Sequence, residues 1–208
     1  MFNTVEYWNM RYKNGKGSGK GSRGELLEYK ANTINNIINE FDIQDIIDFG
    51  CGDGELSNLI DVEYYVGIDS SFEAVAICRS KKLYDRCRDV FGARIFINDI
   101  NLSWTAQADM TMSIDVIFHL VNEREYLQHL LSLFQHSTKY VLIYSSDKEE
   151  DVDRGHVKHR KCTRTINELF PDWKLLRKID NKYPDQSFSD FYLYEYSPPA
   201  EERGDEGK

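Results

Sequence analysis

Glycines and carboxylates follow three short apolar runs in the first half of the sequence. Gly50, Gly52 and Gly54 come after the first run, and glycine lets the backbone take positive φ and approach a ligand closely. Asp69 ends the second run and Asp99 the third. Ligands of open α/β sheets bind at the carboxyl ends of strands, where one acid accepts ribose hydroxyls and another meets an adenine amino group. These residue types in this order predict a nucleoside site.

The spacing of the glycines separates two classes of nucleotide-binding enzyme. A dinucleotide-binding turn has the pattern G-x-G-x-x-G, whose third glycine would fall on position 55. That position holds Glu55. The turn therefore argues against a dehydrogenase.

A second cluster of ionisable residues lies between positions 154 and 164. The segment has five Lys or Arg residues, among them Arg160, together with His156 and His159 and no acid. It follows the fifth predicted strand on the same sheet edge as the glycine turn. With the basic residues of positions 13–23 it predicts a basic mouth for phosphate or carboxylate, and a solvated charged face is the alternative. No third ligand accompanies the two histidines, so no metal site is predicted.

The elements that must position these residues alternate between strands and helices. An amphipathic helix is predicted over positions 25–41. The predicted strands after it are 46–49, 64–68, 94–97, 110–116 and 140–144. The helices between them are predicted at 55–60, 72–82 and 123–134, and a short one at 164–170. Two further strands, 173–179 and 191–196, have no helix between them and should pair antiparallel. The pattern predicts an α/β fold with a parallel sheet covered on both faces.

The two ends of the chain differ in composition from its centre. Positions 1–24 join an aromatic start to a Gly/Ser/Lys stretch, positions 25–196 form the predicted domain, and positions 197–208 form a tail that we expect to be disordered. Ser18 and Ser22 precede the first predicted helix, whose N-terminal N–H groups favour an anion. Substrate binding by these serines and a plain mobile loop both stay open here.

Composition and charge exclude several classes of protein. The 208 residues carry 26 basic and 35 acidic side chains, so the net charge of −9 opposes non-specific binding to nucleic acid. No window reaches the about 18–20 apolar residues of a membrane span, and no signal sequence opens the chain. The four cysteines form no CxxC pair. We therefore expect a soluble, cytoplasmic protein of one domain.

Four segments carry a resemblance to a known family. They are DFGCGDG from position 48, GIDSS from 67, INDI from 97 and SIDVIFHL from 113. In this order the chain resembles a class I S-adenosylmethionine-dependent methyltransferase from about Tyr7 to Tyr196. Its opening Tyr-Trp-x-x-Arg-Tyr is similar to that of a poorly characterised bacterial and phage-like subgroup. The resemblance implies a Rossmann-like, mostly parallel sheet of seven strands with the last antiparallel, helices on both faces, and S-adenosylmethionine as the cofactor.

The resemblance also implies roles for individual residues. The three glycines would shape the loop under the methionine part of the cofactor, with Asp48 near its amino group. Asp69 would hold the ribose, and Asp99 with the Ile100 backbone the adenine. Further contacts to the cofactor are expected from Arg11, Tyr12, Cys51, Ser70 and Ser113.

The methyl acceptor is expected at the end of the fourth strand. Methyl transfer to a hydroxyl requires alignment and removal of a proton, and His119 and Asp115 are the predicted catalytic residues there. We expect transfer to an oxygen of a small anionic acceptor bound by Ser18, Ser22, His156, His159 and Arg160. An RNA or DNA acceptor is one alternative, and a cofactor-binding subunit without catalysis is another. The sequence leaves the oligomeric state open.

Overall fold

The predicted α/β architecture is confirmed. The computed structural model describes residues 2–81, 93–98, 106–150 and 155–198. The strands are β1 (Asp45–Phe49), β2 (Tyr64–Asp69), β3 (Ala93–Asn98), β4 (Ala108–Ile114), β5 (Ser137–Ser145), β6 (Trp173–Ile179) and β7 (Asp190–Tyr196). The helices are α1 (Thr4–Lys13), α2 (Gly24–Phe41), α3 (Phe72–Ser80), α4 (Glu123–Gln135) and α5 (Cys162–Leu169). Short 3-10 turns lie at Lys20–Ser22 and Ile117–His119.

The seven strands form one sheet in the order β3-β2-β1-β4-β5-β7-β6. Strands β1 to β5 pair parallel with their neighbours, whereas β7 pairs antiparallel with both β5 and β6. The antiparallel pairing of the last two strands follows from their short connection, which has no room for a crossover helix. The carboxyl ends of β1, β2 and β4 therefore meet at one edge of the sheet.

The central strands β1 and β4 are buried on both faces, as parallel strands covered by helices require. Successive residues of β1 illustrate this, because Ile46 belongs to one core cluster and Ile47 to the other. Helices α2 and α3 contribute to the first cluster and α4 and α5 to the second. In the part of the chain that the structure describes, no helix has the length and apolar character needed to cross a membrane.

The structure corrects one local expectation and adds a helix for which the sequence analysis made no prediction. The predicted helix at 55–60 is a series of turns. Within them the Ser57 hydroxyl donates to the Gly54 carbonyl at 2.8 Å, so a side chain satisfies this backbone acceptor. The aromatic start, for which no helix was predicted, forms α1. Asn3 caps this helix by accepting a hydrogen bond from the backbone N–H of Glu6.

Candidate active site

A cavity of about 390 Å³ opens at the sheet edge where β1, β2 and β4 end. The glycine turn after β1 forms its floor, and Asp69 at the end of β2 forms one wall. Residues of α1 and of the Lys20–Ser22 turn lie across it, together with the loop 186–188. The N-terminal segment is therefore part of the site and not a separate arm.

The glycine turn is folded back on the end of β2. The backbone N–H groups of Gly50 and Cys51 both donate to the Ile68 carbonyl, at 2.7 and 3.1 Å. Gly50 has φ +92° and Gly52 has φ +59°, which are conformations that favour glycine. With no Cβ at either position, the backbone itself lines the cavity.

The carboxylate of Asp69 is held by backbone donors on both oxygens. The Gly52 N–H donates to Oδ2 at 2.9 Å and the Ser71 N–H donates to Oδ1 at 2.8 Å. Burial raises the pKa of Asp69 to about 6, against the lowering effect of these two hydrogen bonds. Each carboxylate oxygen can accept a further hydrogen bond, so Asp69 keeps acceptor capacity toward the cavity.

Asp48 is a buried acid with one unused oxygen. Its Oδ2 accepts a 2.6 Å hydrogen bond from the Tyr65 hydroxyl, whereas its Oδ1 has no hydrogen-bond partner among the described residues. Burial raises the pKa of Asp48 to about 7, although the Tyr65 hydroxyl favours the ionised form. The side chain lines the cavity, so its unused oxygen is a site for a cationic or donor group of a ligand.

The raised pKa of Asp48 predicts how stability depends on pH. The folded protein retains the Asp48 proton up to about pH 7, whereas an unfolded chain loses it near pH 4, so this group makes stability fall as pH rises between those values. Asp48→Asn should therefore stabilise the protein at pH 8 by up to about 4 kcal/mol and leave it unchanged at pH 4. Urea unfolding at the two pH values measures the effect. Asp61→Asn, at an exposed carboxylate, is the control, and equal pH dependence of Asp48→Asn and the unaltered protein would contradict the prediction.

The Gly/Ser/Lys stretch is fixed to the glycine turn through Asp53. Ser18 donates to Asp53 from its hydroxyl at 2.9 Å and from its backbone N–H at 3.4 Å, and Arg23 Nη2 contacts Oδ2 at 2.5 Å. The Tyr12 hydroxyl lies 3.0 Å from Ser18 Oγ. Burial alone would raise the pKa of Asp53, but the hydrogen bonds from Arg23 and Ser18 lower it. The charged carboxylate thus holds α1 and the residues after it over the turn.

An ion pair lies at the end of β4. Lys30 Nζ of α2 is 2.6 Å from Asp115 Oδ2, and the Lys30 side chain is only 2% exposed. Asp115 has φ +60°, which is uncommon for a residue other than glycine. Both side chains line the cavity, on the side opposite the end of β2.

His119 lies next to this pair with its tautomer fixed. Its Nδ1 is 2.9 Å from the His156 carbonyl, and a carbonyl only accepts, so Nδ1 carries the proton. Burial lowers the pKa of His119 to about 4, which keeps the ring neutral near pH 7. The lone pair of the neutral ring is therefore on Nε2, and His119 lines the cavity as a proton acceptor.

The basic segment does not line the cavity among the described residues. Arg160 contacts Glu123 at 3.1 Å, donates to the Leu120 and Val121 carbonyls and lies over the Tyr126 ring. His159 Nδ1 is 2.7 Å from Ser146 Oγ. These two predicted substrate residues are engaged in contacts that fasten the segment to α4, to the residues just before α4 and to the residue that follows β5.

The structure brings together most of the residues expected from the sequence. Those that line the cavity are Tyr12, Ser18, Ser22, Asp48, Gly50, Cys51, Gly52, Asp69, Ser70, Asp115 and His119. Those that the structure describes outside its lining are Arg11, Gly54, Ser113, His156, His159 and Arg160. Asp99 and Ile100 lie outside the described residues. No group of three potential metal ligands occurs in the described part of the chain.

Arg11 and Ser113 support the cavity from behind. Arg11 Nε donates to the Gly17 carbonyl at 2.8 Å, which orders the Gly/Ser/Lys stretch. Ser113 is buried and its hydroxyl is 2.8 Å from His129 Nε2. Burial lowers the pKa of His129 to about 4, so this pair is a neutral hydrogen bond beneath the site.

Comparison with known proteins identifies the fold. Magnesium protoporphyrin IX methyltransferase from Synechocystis, with bound SAM, is 14% identical, with a TM-score of 0.65 over 95% of this chain and 99% of that one. The N-methyltransferase NodS from Bradyrhizobium japonicum, in complex with S-adenosyl-L-homocysteine, gives a TM-score of 0.71 at 12% identity over 95% and 100% of the two chains. The chain has the class I methyltransferase fold. An S-adenosylmethionine-dependent methyltransferase from Clostridium acetobutylicum gives a TM-score of 0.65 at 12% identity, over 93% and 98%. No protein-family model and no curated protein matches the sequence.

Sequence reasoning missed several residues that this methyltransferase fold places in the cavity. Lys30 is the principal one, and its signal was a lysine on the apolar stripe of a helix, three residues after Leu27 and four before Ile34. Phe118 and Phe188 also line the cavity, and their rings are 5.0 Å apart in an edge-to-face contact. They lie 70 positions apart in the sequence, so no local pattern could have paired them.

Proposed function

We propose that the protein is an S-adenosylmethionine-dependent methyltransferase that methylates an oxygen of a small acceptor carrying an anionic group. One observation carries the proposal. A single cavity holds the glycine turn and Asp69 on one side, and on the other Asp115 with the neutral His119. Solved structures of this fold, including two described as containing SAM or S-adenosyl-L-homocysteine, support the choice of cofactor.

The residues present fit that cofactor. The unused Oδ1 of Asp48 would accept from the amino group, and Asp69 retains acceptor capacity for two ribose hydroxyls. A Cβ at Gly50 would meet Val116 and one at Gly52 would meet Ser18 and Tyr12, so glycine at both positions lets the backbone of the turn line the cavity. Bound there, S-adenosylmethionine supplies an electrophilic methyl group on a sulfonium. The protein would orient the acceptor against it and accept the hydroxyl proton at His119 or Asp115.

The support for an anionic acceptor comes from the Gly/Ser/Lys stretch. Lys30 is the one lysine or arginine among the cavity-lining residues that the structure describes, and its charge is paired with Asp115. Lys20 adjoins Gly21 and Ser22, which also line the cavity. We propose the N-terminal segment as a lid over the cofactor and acceptor, because its contacts with Asp53 hold it across the turn. A cytoplasmic location remains part of the proposal, because the four cysteines form no CxxC pair and the three that the structure describes are free thiols.

Calorimetry with the purified full chain tests the cofactor assignment. S-adenosylmethionine and S-adenosylhomocysteine should each bind at one site, and NAD should give no heat because Glu55 replaces the third glycine of a dinucleotide turn. Binding of neither sulfur nucleoside by folded protein would reject the proposed function. A screen of carboxylated and phosphorylated hydroxyl compounds, read by mass spectrometry for a gain of one methyl group, then tests the acceptor class, with RNA and DNA oligonucleotides as the competing arm.

A further inference from the structure

The Lys30–Asp115 ion pair is unusual in its position. The Lys30 side chain is buried at 2% exposure, the Asp115 side chain is half-buried at 20%, and both line the cavity. Removing two charges from water costs about as much as their attraction returns, so a buried pair is a weak stabilising device. This pair lies at the wall of a cavity, where a ligand can contact it. Its position is therefore better explained by ligand binding than by a contribution to stability.

The backbone conformation of Asp115 is a second indication that this position is functional. Its φ of +60° is one of two positive values among the non-glycine residues that the structure describes, and such conformations cost on the order of 1 kcal/mol or more. The Asp115 N–H donates to the Tyr144 carbonyl at 2.9 Å, which ties the residue to the end of β5. The strained turn brings the carboxylate to Lys30 and to the cavity.

The pair has unused hydrogen-bonding capacity of both kinds. Lys30 Nζ has three protons, of which Asp115 takes one. Asp115 Oδ1 receives only a long contact of 3.4 Å from the Ser189 hydroxyl. The pair therefore offers a donor and an acceptor side by side, with no net charge.

We infer that Lys30 and Asp115 form the subsite for the acceptor hydroxyl, which donates to Asp115 and accepts from Lys30. The inference rests on the proposed methyltransferase function and names the acceptor group that its site selects. A protonated amine has only donors and is repelled by Lys30. A carboxylate has only acceptors and is repelled by Asp115, so an anionic group of the acceptor lies elsewhere in the molecule.

Aromatic side chains define the rest of the acceptor. Trp8 lines the cavity beside His119, with ring centroids 5.0 Å apart, and Phe118 and Phe188 meet edge to face. Such walls favour a planar ring. The cavity therefore suits an acceptor that carries both a hydroxyl and a planar ring.

The pair also provides a route for the proton. As the acceptor oxygen bonds to the methyl carbon, the methyl–sulfur bond breaks and its electron pair stays on sulfur. The hydroxyl proton passes to Asp115 Oδ1 and from there to water. Lys30 keeps its charge throughout and acts by positioning the oxygen and the carboxylate.

Four small compounds that differ in one group test the subsite. The full chain, saturated with S-adenosylhomocysteine at pH 7, is titrated with benzyl alcohol, toluene, benzylamine and benzoate, and binding is followed by protein-observed NMR. Benzyl alcohol should bind about tenfold more tightly than each of the others, because it alone satisfies both members of the pair. Equal or tighter binding of toluene, benzoate or benzylamine would overturn the inference.

Paired substitutions assign the preference to these residues. Lys30→Met leaves the half-buried Asp115 without its cation, so the double variant Lys30→Met/Asp115→Asn, which removes both charges, is measured beside it. The double variant should bind benzyl alcohol and toluene equally. Lys139→Met removes the cation of another Lys–Asp pair, 2.8 Å from Asp109 at the start of β4, and should keep the preference. A preference that survives in the double variant would contradict the assignment.

The test of the Lys30–Asp115 subsite can fail independently of the test of the methyltransferase proposal. S-adenosylhomocysteine affinity is measured first, and its absence in the unaltered protein rejects the methyltransferase proposal. The titrations are then repeated on the protein without nucleoside. Preference for benzyl alcohol there would still locate a hydroxyl subsite at the pair, and lack of preference would overturn it.

Discussion

Asp69→Ala should reduce the affinity for S-adenosylhomocysteine by at least about 100-fold, because Asp69 is the proposed ribose ligand and its loss would remove two charge-assisted hydrogen bonds. It also removes the acceptors of the Gly52 and Ser71 N–H groups, which hold the glycine turn against β2. Calorimetry at pH 8 measures the loss, since Asp69 has its raised pKa of about 6 and is ionised there.

A second carboxylate provides the control for this change. Asp109 also accepts a backbone N–H, from Gln44 at 3.1 Å, but it lies at the start of β4, at the edge of the sheet away from the cavity. Asp109→Ala should leave the affinity unchanged while lowering stability slightly. Unaltered nucleoside binding by folded Asp69→Ala would show that the end of β2 is not the ribose site.

Among glycine-to-alanine substitutions in the turn, Gly50→Ala should lower the stability of the protein most. An added Cβ would lie 2.4 Å from Val116 Cγ2, and the φ of +92° is strained for alanine. Strain and overpacking together predict a loss of about 3 kcal/mol and a fall in Tm of about 10 °C. Affinity for S-adenosylhomocysteine should fall at least about tenfold, because the same backbone lines the cavity.

Two further variants separate the causes of that loss. Gly155→Ala adds a Cβ that meets no atom within 4 Å, so its Tm should stay unchanged. Gly50→Ala/Val116→Ala relieves the steric overlap but keeps the strained backbone, so it should recover part of the Tm. A Gly50→Ala protein as stable as Gly155→Ala would mean that the turn is not constrained as described.

The sequence predicted the sheet because its information is local. The apolar runs that became β1 and β2 are followed by glycines and an acid within a few residues, so strand, turn and site residue were identified together. The antiparallel pairing of β6 and β7 was equally predictable, because strands joined by a connection without a helix can pair only antiparallel. The turns at 55–60 could not be predicted, since six residues with apolar spacing typical of a helix are too few to form one reliably.

The acceptor side of the site depended on tertiary contacts. Lys30 and Asp115 are 85 positions apart, and no spacing rule joins them. Arg160 shows the converse case, because its charge suggested an anion site while Glu123 and two carbonyls on the facing segment engage it. Charge in the sequence indicates the kind of partner, and the fold decides whether that partner is a ligand or another part of the chain.

The attachment of the N-terminal segment to Asp53 has a consequence for kinetics. A nucleoside bound beneath the proposed lid would leave after the Ser18 and Arg23 contacts with Asp53 break. Exchange would then proceed at the opening rate of the segment, and raising the nucleoside concentration would saturate the observed association rate. Opening of the segment would then limit how fast the nucleoside binds and leaves. Weakening the contacts of Asp53 with Ser18 and Arg23 would change the residence time of the nucleoside far more than the rate of the chemical step at the other end of the cavity.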